Sequence, residues 1–167
     1  RKYATRGNVL DARGLIAKKA RDMFRHYVEN ILPNGFKAMV VANSRQATVT
    51  YFEEFEKARD ELVTELEALD PKLLKLDEEE ICDLPRHQAF LIRAHRFLPT
   101  IRVLNFAPVI SGGHNDIVDP EREWSARSKI NSRIARFKKP LFADGPNTSD
   151  QDGADPLAFL IVKSMLL

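Results

Sequence analysis

The chain has 167 residues, 44% hydrophobic and 30% charged, the proportions of an ordinary globular protein of one domain. No apolar run reaches the roughly 20 residues of a membrane-spanning helix, and no hydrophobic stretch follows Arg1–Arg6 as it would in a secretory signal. Twenty-six basic against twenty-four acidic residues exclude a uniformly basic nucleic-acid binder, so any such contact must be local, and the lone Cys82 excludes an internal disulfide and fits a cytoplasmic setting.

Residues 1–8 read as a tail. Residues 9–32 carry apolar side chains at three- and four-residue steps, through Leu15 or Ile16, Ala20, Met23 or Phe24, Tyr27 or Val28, and Ile31, which predicts an amphipathic helix stopped by Pro33-Asn34-Gly35. Phe36–Ala42 is short and apolar with paired valines, the pattern of a strand buried on both faces. Asn43 or Ser44 caps the next helix, with Gln46 placed to complete a capping box with Asn43; Val49, Phe52, Phe55, Leu62, Leu66 and Leu69 form its stripe, and Asp70-Pro71 ends it.

Residues 72–100 hold a solvated acidic run, Asp77–Glu80, and a helical stretch over 86–98 before Pro99. Ile101–Ile110 is rich in β-formers, though Pro108 clouds where its ladder ends. After the loop Ser111–Asp116, Asp119-Pro120 opens a helix with Glu121 and Glu123 in its first turn and Arg133, Arg136, Lys138 and Lys139 crowding its end. Residues 143–155 form a mobile loop by composition, and Leu157–Lys163 is a final buried strand. The chain opens on Arg and stops inside the apolar run Leu157–Leu167, so it reads as a piece of something longer. Strands alternating with helices predict an α/β fold with a parallel sheet flanked by helices, in a single, incomplete domain.

In such a sheet, ligands gather at the carboxyl ends of the strands. Three segments leave those ends: Asn43-Ser44-Arg45, Ser111–Asn115 and Lys163-Ser164. Their hydroxyls, helix N-terminus, paired glycines and cations suit phosphate oxygens, although small polar loops are common there in α/β domains of every kind. Catalytic signatures are otherwise missing. The sequence has no G-x-x-x-x-G-K-[ST] phosphate loop. Lys72 and Lys75 interrupt the apolar run that an acidic Walker B strand end would need before Asp77. Cys82 has no glycine-rich anion loop, and His87 has no evident orienting partner. His26, His87, His95 and His114 have no metal-ligand spacing with Cys82, and His26 and His95 read as structural.

Several segments, in order, resemble a known family. Gly35–Ala47, continued to Tyr51 and Phe55, resembles helicase motif IV of the restriction (R) subunit of type I restriction-modification enzymes, and the helix with Ala17–Ala20 and His26-Tyr27 is similar to the one that introduces that lobe. Val109–Asp116 is similar to the family's second strand and its Asn-Asp loop, and Arg136-Phe137-Lys138 to the Phe-Lys element before motif V. Asp155-Pro156-Leu157, followed by Phe159–Leu167, resembles the start of motif V, which in the family continues into Thr-Gly-Phe-Asp. The likeness spans residues 9–167. It departs at 72–100, which read as an insertion or divergent connection, and at Lys163, where many relatives place Thr or another uncharged residue.

The resemblance implies a RecA-like three-layer domain, the front part of the second lobe of a superfamily-two motor. The parent would hydrolyse ATP with Mg2+ to pull double-stranded DNA, carry a first RecA-like lobe and a nuclease domain, and join modification and specificity subunits. By position, Ser44, Arg45, Gly113, His114, Lys163 and Ser164 would contact DNA phosphates. No catalytic or metal-binding residue carries over, and the chain alone is expected to hold no cofactor and to be inactive. Two other readings stay open: a non-catalytic α/β interaction module docking through the cations of 133–139, and a small α/β enzyme using His114.

Overall fold

A computed structural model describes residues 12–110, 127–142 and 153–163. Helix α1, Arg13–His26, runs on through a π-helical turn, Tyr27–Ile31, and a 3-10 turn, Leu32–Asn34. The expected stripe is realised by Ile16, Ala20, Phe24, Tyr27 and Val28, all buried, but at its end Leu32 is buried and the expected Ile31 only partly covered, where the π-helical turn shifts the periodicity. Gly35 ends it at φ 71°, a left-handed conformation that a side chain resists, and an added Cβ would press on the Phe142 ring at 3.1 Å. The Tyr27 hydroxyl donates to the Phe36 carbonyl at 2.9 Å, tying the helix to the approach of the first strand, and burial pushes its pKa up.

Strand β1, Ala38–Ala42, leads into α2, Arg45–Glu67. The cap is Ser44, whose Oγ accepts from the Ala47 amide at 3.0 Å; Asn43 is not the cap, and Gln46 completes no box. Ala47, Tyr51, Phe55, Ala58, Leu62 and Leu66 form the buried stripe of α2, with the expected Val49, Phe52 and Leu69 only partly covered.

The stretch after Asp70 is helical: a 3-10 turn at Leu73–Lys75, then α3 (Glu78–Cys82), α4 (Arg86–His95) and α5 (Leu98–Val103). The acidic run has a structural role, since Asp77 and Glu80 form a reciprocal capping box and the run neutralises the helix start. Ile101–Val103, expected as strand, is helix. Pro99 pre-sets the first turn of α5 and Ile101 is fully buried.

Strand β2 is Asn105–Val109, α6 is Arg127–Lys138, and β3 is Leu157–Lys163. The expected helix start at Asp119-Pro120 lies outside the described residues, as do 1–8 and most of the 143–155 loop.

The strands form one parallel sheet in the order β1-β3-β2. The architecture is therefore mixed α/β, with helices on both faces. Against one face, α1, α2 and α5 build the main core, which includes Phe106, Phe159 and Ile161; against the other, α6 sets Phe137 on a smaller cluster of Ala107, Leu157 and Leu160. Central β3 is buried on both faces, whereas among the described residues β1 lies at the edge of the sheet with Met39 50% and Val41 55% exposed, contrary to the two-sided burial expected of it. Pro108 fits for a geometric reason. In a parallel strand a residue's N and O point to the same side, and the Pro108 carbonyl accepts from Arg133 at 2.9 Å, so its missing N–H falls on the outer edge of β2, where the β3 ladder needs no donor.

The strand starts are fixed by ion pairing. Arg136 grips Asp155 through two hydrogen bonds, 2.9 and 3.2 Å, and Asp155 also accepts from the Leu157 amide at 2.9 Å. Lys37 donates to the Arg136 carbonyl at 3.2 Å and lies over the Phe137 ring; burial lowers its pKa. Asp155, expected at the end of a loose loop, is thus anchored. Among the described residues no helix is long and apolar enough to cross a membrane.

Candidate functional site

The parallel register decides which chain segments share an edge. Ala42 is the ladder partner of Lys163, and Val109 that of Val162, so the three strands end level with one another. Ladder neighbours stand about 4.8 Å apart. Ser44 and Arg45 follow Ala42 directly, so Ser44, Arg45 and Lys163 emerge at one carboxyl rim. Ile110 delivers the chain to the same rim from β2, but Gly113 and His114, like Ser164, lie outside the described residues.

Each rim residue has a local reason for its place. Ser44 holds an extended backbone, φ −142° and ψ 167°, caps α2 through its hydroxyl, and accepts from the Thr48 amide and hydroxyl through its carbonyl, both at 3.0 Å. A cap of this kind typically contributes about 1 kcal/mol, so Ser44 has a structural function whatever it binds. Arg45 opens the helix, half-buried, with no acidic residue in the first turn. A cation there opposes the helix macrodipole by about 0.3–1 kcal/mol. The start of α3 shows the usual arrangement instead, with Asp77 at the cap and Glu78, Glu79 and Glu80 behind it. Lys163 is exposed at the end of an otherwise buried strand. Arg45, Lys163 and the N-terminus of a 23-residue helix thus lie along one rim of the sheet, and backbone amides and charge of this kind suit an anion.

No other arrangement among the described residues offers chemistry of comparable focus. No group of three or more His, Cys, Asp or Glu there could hold a metal ion. His87, expected to have no orienting partner, has two: Nε2 is 3.1 Å from Glu65 and Nδ1 is 3.4 Å from an Arg25 guanidinium nitrogen. Those partners come from α2 and α1, far off in sequence, so local reading could not find them. Cys82 is exposed and its Sγ receives Arg93, which also pairs with Glu78. His26 is exposed and bonded to Asn30 within its own helix.

Compared with protein families, curated proteins and solved structures, the chain finds no match.

Proposed function

We propose that the chain is the front part of the second RecA-like lobe of a type I restriction enzyme's DNA-translocating motor, and that its carboxyl rim grips the phosphates of one DNA strand. The single observation that carries this reading is Arg45 at the first position of α2, on the same carboxyl rim as Lys163 of the neighbouring strand. A phosphate at this rim would meet the amides of a helix N-terminus and two cationic side chains together. The motif order described from the sequence adds the choice of family.

The chemistry of these residues is positional. Ser44 fixes the start of α2, and Arg45 and Lys163 provide charge that follows a phosphate backbone without reading bases. Movement of this lobe relative to the first would carry the gripped strand with it. ATP and Mg2+ would be held by the first lobe, since this chain has no phosphate-loop sequence. No step assigned to the rim passes through them.

Arg45→Ala in the full-length motor should slow translocation and weaken duplex binding while leaving the recognised sites unchanged. Because the residue is only half-buried, folding stability should stay within about 0.5 kcal/mol of the parent. Triplex-displacement assays, DNA-stimulated ATPase and denaturation measure the three effects; unchanged translocation and ATPase would refute the assignment.

The alternative, a non-catalytic interaction module, draws on the exposed apolar side chains Met39 and Val41 of β1. A motor with unaltered DNA handling after rim substitution would favour it.

A further inference from the structure

Positive charge is distributed very unevenly along this chain. Arg127, Lys129, Arg133, Arg136, Lys138 and Lys139 place six of the 26 cations, and no acid, within 13 residues; the other 154 hold 20 cations against 24 acids, a net charge of −4. The helix macrodipole accounts for only part of this, because its effect fades within the last turn, whereas Lys129 and Arg133 lie further back along α6.

The periodicity divides the helix into three stripes. Ile130, Ile134 and Phe137, at steps of four and three, are half-buried, and Phe137 packs against the sheet. One position around, Lys129, Arg133 and Arg136 form a cationic stripe with the same spacing. Arg133 is fixed to the Pro108 carbonyl and Arg136 to Asp155, so two of the three guanidinium and ammonium groups are held by the scaffold. Next to it, Ser128, Ser132 and Ala135 are small and exposed. Ser128, Lys129, Ser132, Arg133 and Arg136 line a shallow depression of about 260 Å³.

We infer that α6 is a second phosphate-backbone contact for double-stranded nucleic acid, separate from the carboxyl rim. Its cations supply attraction, and its hydroxyls donate to phosphate oxygens at close approach. Nucleic acid fits better than an acidic protein partner. The outward face has no aromatic or large apolar anchor, which protein interfaces rely on, while polar, positively charged surfaces typify contacts with DNA. The inference does not depend on the motor assignment.

The test uses this 167-residue chain and a fluorescent 30-base-pair duplex of arbitrary sequence, titrated by anisotropy over a range of salt. Lys129, Lys138 and Lys139 are exposed, so replacing all three by Ala should leave the fold intact, which circular dichroism checks. The triple variant should bind about tenfold more weakly at low salt, and the slope of log K against log salt should become shallower by about 2–3 units, one for each lost phosphate contact. Replacement of all three by Arg should retain binding. Wild-type affinity and slope in the triple Ala variant would overturn the inference. So would tighter binding of poly-glutamate than of duplex at equal charge, or complete loss of binding on substituting Arg45 and Lys163 alone.

Discussion

Phe159→Ala should destabilise the chain by about 3–5 kcal/mol, the range for truncating a fully buried phenylalanine. The ring is 1% exposed on the central strand, and its centroid lies 4.6 Å from that of Tyr27, 4.8 Å from Phe55, 5.4 Å from Phe106 and 6.2 Å from Phe24. These rings come from α1, α2 and β2, so the residue joins one helical layer to the sheet. The neighbours are large and mutually packed and cannot collapse into the vacancy. A domain of this size has only about 5–15 kcal/mol in total, so Phe159→Leu, which keeps most of the volume and should cost less, provides the readable companion. Urea denaturation measures both. A midpoint for Phe159→Ala equal to wild type would show that β3 is not the centre of this core.

Asp155→Ala should cost about 2–3 kcal/mol, because it removes the acceptor for a buried amide and one half of a paired charge. The Leu157 amide begins the central strand at a fully buried residue, and the Arg136 guanidinium loses both of its bonds to the carboxylate. This carboxyl is also pH-sensitive. Burial, the largest influence, pushes its pKa up, but the Arg136 hydrogen bond, the Leu157 amide and nearby Lys37 together hold it below the ordinary value. Glu54 behaves similarly. Lys57 lowers its pKa first, burial opposes, and Arg13 adds to the lowering. Both groups bind protons less readily folded than unfolded, so their contribution is complete above the unfolded values near 4. It is lost as pH falls through the lower folded values. The denaturation midpoint should therefore drop on acidification below about pH 5, and drop less in Asp155→Asn. An identical acid limb in both proteins would remove Asp155 from the account.

Periodicity showed most of the helices and strands but little of their pairing. The α1 stripe was legible because Ile16, Ala20 and Phe24 repeat at four-residue steps, and Pro33-Asn34-Gly35 marked its end through a position that needs positive φ. Ser44 was one of two candidates for the cap. Asn43 and Ser44 are chemically equivalent in sequence, and only the backbone path chooses between them. Ile101–Val103 misled because β-branched residues suit a strand, while a proline in the first turn and a buried site for Ile101 outweighed that preference. The two-sided burial expected of β1 failed because strand order is a long-range property. The last strand enters the middle, leaving the first at an edge with Met39 and Val41 uncovered. At the rim, parallel pairing confirms that Ser44 and Lys163 share an edge, while Gly113, His114 and Ser164 fall outside the described residues. Arg136 stood out by its charge, but its grip on Asp155 depends on a contact across 19 residues.

The most direct test of the rim's role is the salt dependence of duplex binding by this chain carrying both Arg45→Ala and Lys163→Ala, measured beside wild type. Loss of two phosphate contacts should flatten the slope of log K against log salt by about 1.8 units and lower affinity at every salt concentration. If the double variant instead reproduces the wild-type slope and affinity, the co-directional strand ends gather cations that hold no phosphate, and the account of this edge is wrong.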